Sequence, residues 1–429
     1  MIRPTTLPGR RTVLRTALGG GLVAGTTWRP ARAQAPVTLT LAVWGAQAEQ
    51  DAFNALIERF TARNPGVAVK LDVSGSAGQH YQQVDTKLAG RQAPDLFRVQ
   101  YQQLGRYAAA RAVQDLGKYV DAGYAEQFQP AFWQAVTFKG RVVALPHHTD
   151  TFALYVNKDL MAKAGLQAPA RLEDSWSWAD FTKAARAMKA AGAPYGFAMS
   201  WQNSVAYRWL PFLYQHGGQM LSDDLSRSQL ADPKGIETIA WCQSWFKEGL
   251  VPPSTSIKSN EQPQNLFANG TVGMLLGGDW QIPFLSKSAV APWEVTYMPR
   301  DVAMASDLGG NAMAVSRDCK NPDAAAAFLK FMVDAASMEQ FVVDAQFLPV
   351  RRDLASKSLA YKLRPEAMAV FVRQASTIPP HMVTTETLPN FARINTKLAD
   401  ELDLAFTSGQ DPATTARNID AAVQPMLAT

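Results

Sequence analysis

A chain of 429 residues, 47% hydrophobic and 18% charged, is long enough for two domains of ordinary size with a core each. Its formal charge of +5 comes from the first 33 residues, which hold six Arg and no acidic residue; without them the balance is −1, which removes the electrostatic case for nucleic acid or an anionic membrane as partner. The cysteines Cys242 and Cys319 are too few for an iron–sulfur cluster or a Cys-rich zinc site.

Residues 1–33 have the order of a twin-arginine secretion signal: Arg10 and Arg11 in GRRTVLRTA, a weakly apolar Gly- and Ala-rich run, then the small residues Ala31, Ala33 and Ala35. Cleavage is expected after Ala33, because cleavage after Ala35 would leave Pro36 first; 396 residues then remain. No Cys follows the apolar run, so no lipid anchor is expected, and no later stretch nears the roughly 18 apolar residues of a membrane span.

The mature chain opens with a predicted strand at 37–44 and a helix at 48–63, where Phe53, Leu56, Ile57 and Phe60 recur at helical spacing before the stop Asn64-Pro65-Gly66. Val67, Val69, Leu71 and Val73 alternate with Ala68, Lys70, Asp72 and Ser74, which predicts a half-buried strand. A helix at 79–89 and a short strand at 96–99 repeat the unit. This alternation predicts a parallel, doubly wound α/β sheet, with ligand at the carboxyl ends of the strands where their order reverses.

From 140 to 166 the sequence is GRVVALPHHTDTFALYVNKDLMAKAGL. A strand-like run from Val142 to Leu145 ends at Pro146, and a second from Phe152 to Val156 leads into a short helix that Gly165 can close. Between them lie His147, His148, Thr149 and Asp150, a polar cluster that is either a binding surface or a crossing between domains. The chain beyond is richer in helices, signalled by Ser177 with Asp180 as a capping box, by Asp232-Pro233 and Asn321-Pro322 as starts, and by Gly192 and Gly249 as stops. Cys242 shares a helical stripe with Ile236, Ile239 and Phe246, which favours a buried free thiol over a disulfide. Two helical stretches, split by Ser408-Gly409 and Asp411-Pro412, close the chain.

The step His148-Thr149-Asp150 followed by Tyr155, Asn157, Lys158, Asp159 and Leu160 resembles the lobe-crossing segment of the extracellular solute-binding proteins of ABC importers, above all the sugar-binding, maltose-binding-protein-like group. The resemblance extends over nearly the whole mature chain, through LAVWG at 41–45, GRQAPDLFRVQY from Gly90, WSWADFTKAARAM from Trp176, FANGTVGMLLGGDW from Phe267, LGGNAMAVS from Leu308 and FLPVRRDL from Phe347. It implies a two-lobed periplasmic-binding-protein fold, each lobe a doubly wound sheet flanked by helices. Lobe 1 would be 36–149 plus 309–347 and lobe 2 would be 152–307 plus 352–429, joined by three crossovers near 150, 308 and 349. It further implies a periplasmic monomer that hands a mono- or oligosaccharide or a polyol to an inner-membrane permease.

A sugar offers hydroxyls that donate and accept, and flat C–H faces, so its site needs carboxylates or amides plus aromatic platforms. Asp150 is the leading candidate carboxylate; its alternative role is a hinge Asp that bonds backbone N–H groups. His148 would stack on the ligand or hydrogen-bond it, or stand solvated in a loop. His147 and His148 as a metal pair are awkward, because neighbours on an extended chain point to opposite faces. The resemblance places Trp44, Trp201 and Trp280 at the cleft as platforms, and Gln47, His80, Gln100 and Tyr101 in loops that touch ligand. Asp279, after Gly277-Gly278, would be a second carboxylate or a helix cap; two carboxylates favour a polyhydroxylated or cationic ligand over an anionic one. Gly310 and Asn311 belong to the turn at the second crossover, and Arg351 at the third would brace the hinge or contact ligand. No Gly-x-Ser-x-Gly, His-Glu-x-x-His, P-loop or strand-linked Gly-x-Gly-x-x-Gly is present, so neither catalysis nor a cofactor or metal is expected. The alternatives are a binding protein for a glycerol-phosphate-like ligand or a polyamine, and a secreted carbohydrate-active enzyme with Asp150 and Asp279 as acid and base.

Overall fold

The computed structural model describes residues 37–202 and 205–427; the expected signal at 1–33 lies outside the described residues. The first elements form where the patterns place them: β1 (Val37–Trp44), α1 (Gln47–Arg63), β2 (Val67–Ser74), α2 (Ala77–Ala89) and β3 (Leu96–Gln100), followed by α3 (Tyr101–Ala109). β1 pairs in parallel with β2 along its whole length and with β3 on its other side. The helical stripe of α1 buries Phe53, Leu56 and Phe60 in the same core as Leu39, Leu41 and Val43 of β1.

The strand expected from Val142 to Leu145 does not form. Val142 instead closes a hairpin of β4 (Thr137–Phe138) and β5 (Arg141–Val142), and the next strand, β6 (Leu145–His148), runs through Pro146. Pro146 is tolerated because β6 is the outermost strand of a five-stranded sheet ordered β2-β1-β3-β11-β6. His147 and His148 therefore belong to a buried strand rather than to a polar loop. β11 (Asn311–Val315) pairs antiparallel with β3 and β6 and fills the gap between them.

The second sheet has the order β10-β7-β9-β8, from β7 (Phe152–Asn157), β8 (Tyr195–Met199), β9 (Val272–Gly278) and β10 (Trp293–Thr296). Only β8 and β9 are parallel; β7 is antiparallel to both its neighbours. The expectation of wholly parallel sheets thus holds for β2-β1-β3 and β8-β9 alone, because β7 and β11 enter from the other sheet rather than through a local helical crossover. Alternate residues of β7 serve two cores: Phe152, Leu154 and Val156 pack with Phe197 and Trp245, while Ala153 and Tyr155 pack on the opposite face with Leu275 and Phe371.

Helix punctuation follows the sequence. The Ser177 hydroxyl accepts from Asp180 N–H while the Asp180 carboxylate accepts from Ser177 N–H, and helices start at Pro233 and Pro322. Gly192, Gly249 and Gly409 adopt positive φ just beyond their helices. Cys242 and Cys319 are both free and buried. No helix among the described residues is long and apolar enough to cross a membrane.

Three segments pass between the sheets, and they are laced together. Thr149 and Leu348 exchange both backbone hydrogen bonds at 2.9 Å, the Thr149 hydroxyl donates to the Gly309 carbonyl at 3.1 Å, and Gly309 N–H donates to the Asp150 carbonyl at 3.1 Å. The site grows from this knot.

Candidate functional site

Asp150 sits in the first crossing, 6% exposed, with Oδ1 lacking a hydrogen-bond partner among the described residues. Room for it comes from Gly309, where an added Cβ would lie 1.6 Å from Asp150 Oδ1. Gly310 is in the left-handed region, φ +89°, and a Cβ there would meet the His148 carbonyl at 2.3 Å.

Two further carboxylates share this electrostatic environment. Asp279 follows the carboxyl end of β9 and Asp307 precedes the second glycine pair; both are fully buried, and none of their four oxygens has a hydrogen-bond partner among the described residues. Burial pushes the Asp150 carboxyl up to about 6, against the opposing pull of Arg208 and Arg98. Burial pushes Asp307 up to about 7, again against Arg208, and drives Asp279 well above the carboxylate range with help from the Asp150 charge. Backbone N–H groups of Gly310, Phe152 and Trp280 favour the charged forms of Asp150, Asp307 and Asp279 in turn, without meeting full hydrogen-bond geometry at the unpartnered oxygens.

The cation facing them is Arg208, whose guanidinium lies 4.6 Å from the Trp280 ring centroid and 5.0 Å from that of Phe152. Its Nη1 donates to the Ser200 carbonyl at 2.8 Å, and its Nε stands 3.7 Å from Asp307 Oδ2, beyond hydrogen-bond length. Behind the crossing, Arg98 is bound to Glu49 at 2.5 Å, to the Trp44 carbonyl at 2.5 Å and to His148 Nε2 at 3.1 Å. Asn311, with its amide oxygen turned inward, accepts from Arg98 Nη2 at 3.0 Å, so its role is to close this network.

The remaining expected residues divide by burial. His148 is fully buried, stacked on Phe347 at 4.2 Å, and both ring nitrogens are engaged, Nδ1 with His147; burial and the Arg98 charge hold it well below the usual histidine range. It is neither a platform nor a solvated loop residue. His80 and Tyr101 are also fully buried: His80 Nε2 meets the Arg98 carbonyl at 2.8 Å, and the Tyr101 hydroxyl donates to the His148 carbonyl at 3.2 Å. Trp201 is displaced from the expected cleft surface into the second core, its indole N–H donating to the Thr255 carbonyl at 2.6 Å and its ring stacked on Phe406 and Trp245. Trp44 is half-buried with Arg98 over its ring at 4.5 Å, and Trp280 lies between Arg208 and Gly278, where a Cβ would touch the indole at 1.7 Å. Arg351 bonds Asp353, Gln127 and the Val333 carbonyl. Gln47 is exposed and bonds Asp51, whereas Gln100 reaches across to the Tyr207 hydroxyl at 3.4 Å.

Sequence reasoning missed Arg208, Asp307, Arg98, Glu49 and the fully buried Glu386, whose Oε2 accepts from Gln102 at 2.7 Å. The signals were there: Arg98 interrupts the apolar strand LFRVQ, Arg208 stands among aromatics in AYRWL, and Asp307 precedes Gly309-Gly310. Among the described residues no group of three or more metal-ligating side chains comes together. A cavity of about 770 Å³ is lined by Thr149, Leu308, Leu348, Tyr361 and Val372 among others, and by none of the buried carboxylates.

A family model described as bacterial extracellular solute-binding protein matches residues 45–339. The chain is 23% identical over 382 residues to the sn-glycerol-3-phosphate-binding periplasmic protein UgpB of Shigella dysenteriae, covering 84% of this chain and 85% of that one. Its fold is similar to that of an ABC transporter solute-binding protein from Thermotoga lettingae bound with α-D-tagatose, with a TM-score of 0.78, 22% identity and coverage of 91% and 100%. It is likewise similar to one from Agrobacterium radiobacter in complex with ribitol, with a TM-score of 0.75, 21% identity and coverage of 91% and 98%.

Proposed function

Because the chain belongs to the bacterial extracellular solute-binding protein family, we propose that it is the periplasmic substrate-binding component of an ABC importer, holding a mono- or oligosaccharide or a polyol in a cleft between its lobes. The carrying observation is the set of buried carboxylates with unfilled acceptors beside the laced crossings, since hydroxyl groups are the donors such oxygens need. The likeness to tagatose- and ribitol-bound proteins supports a small polyhydroxylated ligand. The lobes would be 36–149 plus 309–347 and 152–307 plus 352–429, turning about crossovers near 150, 308 and 349. Ligand drives closure only by its extra affinity for the closed form, which requires contacts from both lobes. The protein is read as an unanchored monomer, exported by the twin-arginine route, that presents its closed form to a permease and releases its ligand chemically unchanged.

The similarity to UgpB raises an organophosphate as ligand, but a phosphate would meet a single facing guanidinium and supply few donors for the unpartnered oxygens of Asp150, Asp279 and Asp307. Native mass spectrometry of protein from its own periplasm tests this: a neutral polyhydroxylated mass is expected, and a phosphate ester or a hydrolysed fragment would sink the reading. Asp150→Ala should weaken that ligand by about tenfold or more, near 1.4 kcal/mol, in a tryptophan-fluorescence titration.

A further inference from the structure

Arg208 and Asp307 face each other at a distance that stops short of bonding. Nε and Oδ2 are 3.7 Å apart, Nε has no hydrogen-bond partner among the described residues, and neither Asp307 oxygen has one. Buried donors and acceptors left in that state are costly, because they are desolvated without the hydrogen bonds that would compensate. Nor is either group free to close the gap. The guanidinium is held by Trp280, Phe152 and the Ser200 carbonyl, and the Asp307 backbone is held by the Thr151 hydroxyl, which donates to its carbonyl at 3.0 Å. Donor and acceptor are thus held side by side and unbonded, each with unused hydrogen-bonding capacity.

Resting on the reading of this site as a polyol or sugar cleft, we propose that Arg208 and Asp307 are its specificity pair and take a vicinal diol of a neutral polyol or monosaccharide. The hydroxyl oxygens accept from Arg208, their O–H groups donate to Asp307, and Asp150 receives a neighbouring hydroxyl. A hydroxyl is the group that serves both sides, since it donates and accepts at once. An ammonium would meet the like charge of Arg208, and a phosphate group would supply too few donors for the unpartnered oxygens of Asp150, Asp279 and Asp307. A small ligand is favoured by the aromatics: Arg98 covers one face of Trp44, Arg208 covers one face of Trp280, and Trp201 is in the core, which reduces the stacking surface open to a longer saccharide.

The test is calorimetric titration of the full mature protein with ribitol, D-tagatose, glycerol 3-phosphate and spermidine, then with monodeoxy forms of whichever neutral probe binds. Absence of binding by both neutral probes overturns the polyol and sugar reading itself. Given a neutral ligand, Arg208→Gln and Asp307→Asn should each weaken it about tenfold or more. One monodeoxy analogue that wild type rejects should bind both variants within about twofold of the parent ligand, the signature of a direct contact in a thermodynamic cycle. Variants that melt cooperatively yet keep the wild-type affinity and the same deoxy discrimination would show a water-bridged structural pair and sink the proposal. So would tighter binding of glycerol 3-phosphate or spermidine than of the neutral probes. If Arg208→Gln fails to fold, the near-isosteric Asp307→Asn decides.

Discussion

Asp307 couples the site to pH through a definable sign. Its folded carboxyl is held at about 7 against an unfolded value of 3.8, so the folded state binds the extra proton and its contribution to stability is lost as pH rises from about 4 through 7. Asp307→Asn removes that loss. The ligand-free variant should match wild type in melting midpoint near pH 4 and exceed it by several degrees at pH 8, measured as paired thermal melts. A difference that does not grow with pH would mean that Asp307 is not held protonated. The neighbouring histidines titrate in the opposite sense, with burial lowering His80 to about 4 and His147 to about 3, but they are common to both proteins and cancel in the comparison.

At the scale of elements, local patterns were legible and tertiary ones were not. Alternation and helical spacing located β1, α1 and β2 almost to the residue, because each packs against a neighbour close in sequence, although β2 is only partly buried, with Val73 exposed and Ser74 its one buried residue. Pro146 misled because its meaning depends on whether β6 lies at the sheet edge, which local sequence does not encode. Asp150 and Gly310 could be singled out from their turn chemistry, but Trp201 could not be told from a platform, since an aromatic in a loop reads the same whether it faces a cleft or a core. Arg208 and Asp307 are 99 residues apart, and nothing local pairs them. The β6–β7 crossing itself is a tight element. Gly310→Ala places a Cβ against the His148 carbonyl at positive φ and should cost about 2 kcal/mol or more, read by chemical denaturation. A wild-type midpoint would mean that the crossing yields.

For the whole molecule, contacts between the two sheets' flanking elements bear on closure. Gln102 of α3 reaches Glu386, and Gly105 of the same helix fits against Pro389, where a Cβ would lie 2.7 Å from Cα. The proposed hinge closure predicts a smaller radius of gyration in small-angle scattering when a neutral ligand that binds in calorimetry saturates the protein, and a ligand-bound profile identical to the free one would remove closure from the proposal.

β11 has a consequence for biosynthesis. It occupies the slot between β3 and β6, yet it is synthesised 163 residues after β6 ends, when the whole second sheet has already emerged. Until then the nascent chain carries two open strand edges, β3 and β6, that only its own distant segment can fill. The amino-terminal half is thus no self-sufficient folding unit, and the strands of the second sheet, contiguous from Phe152 to Thr296, are all synthesised before the first sheet can be completed.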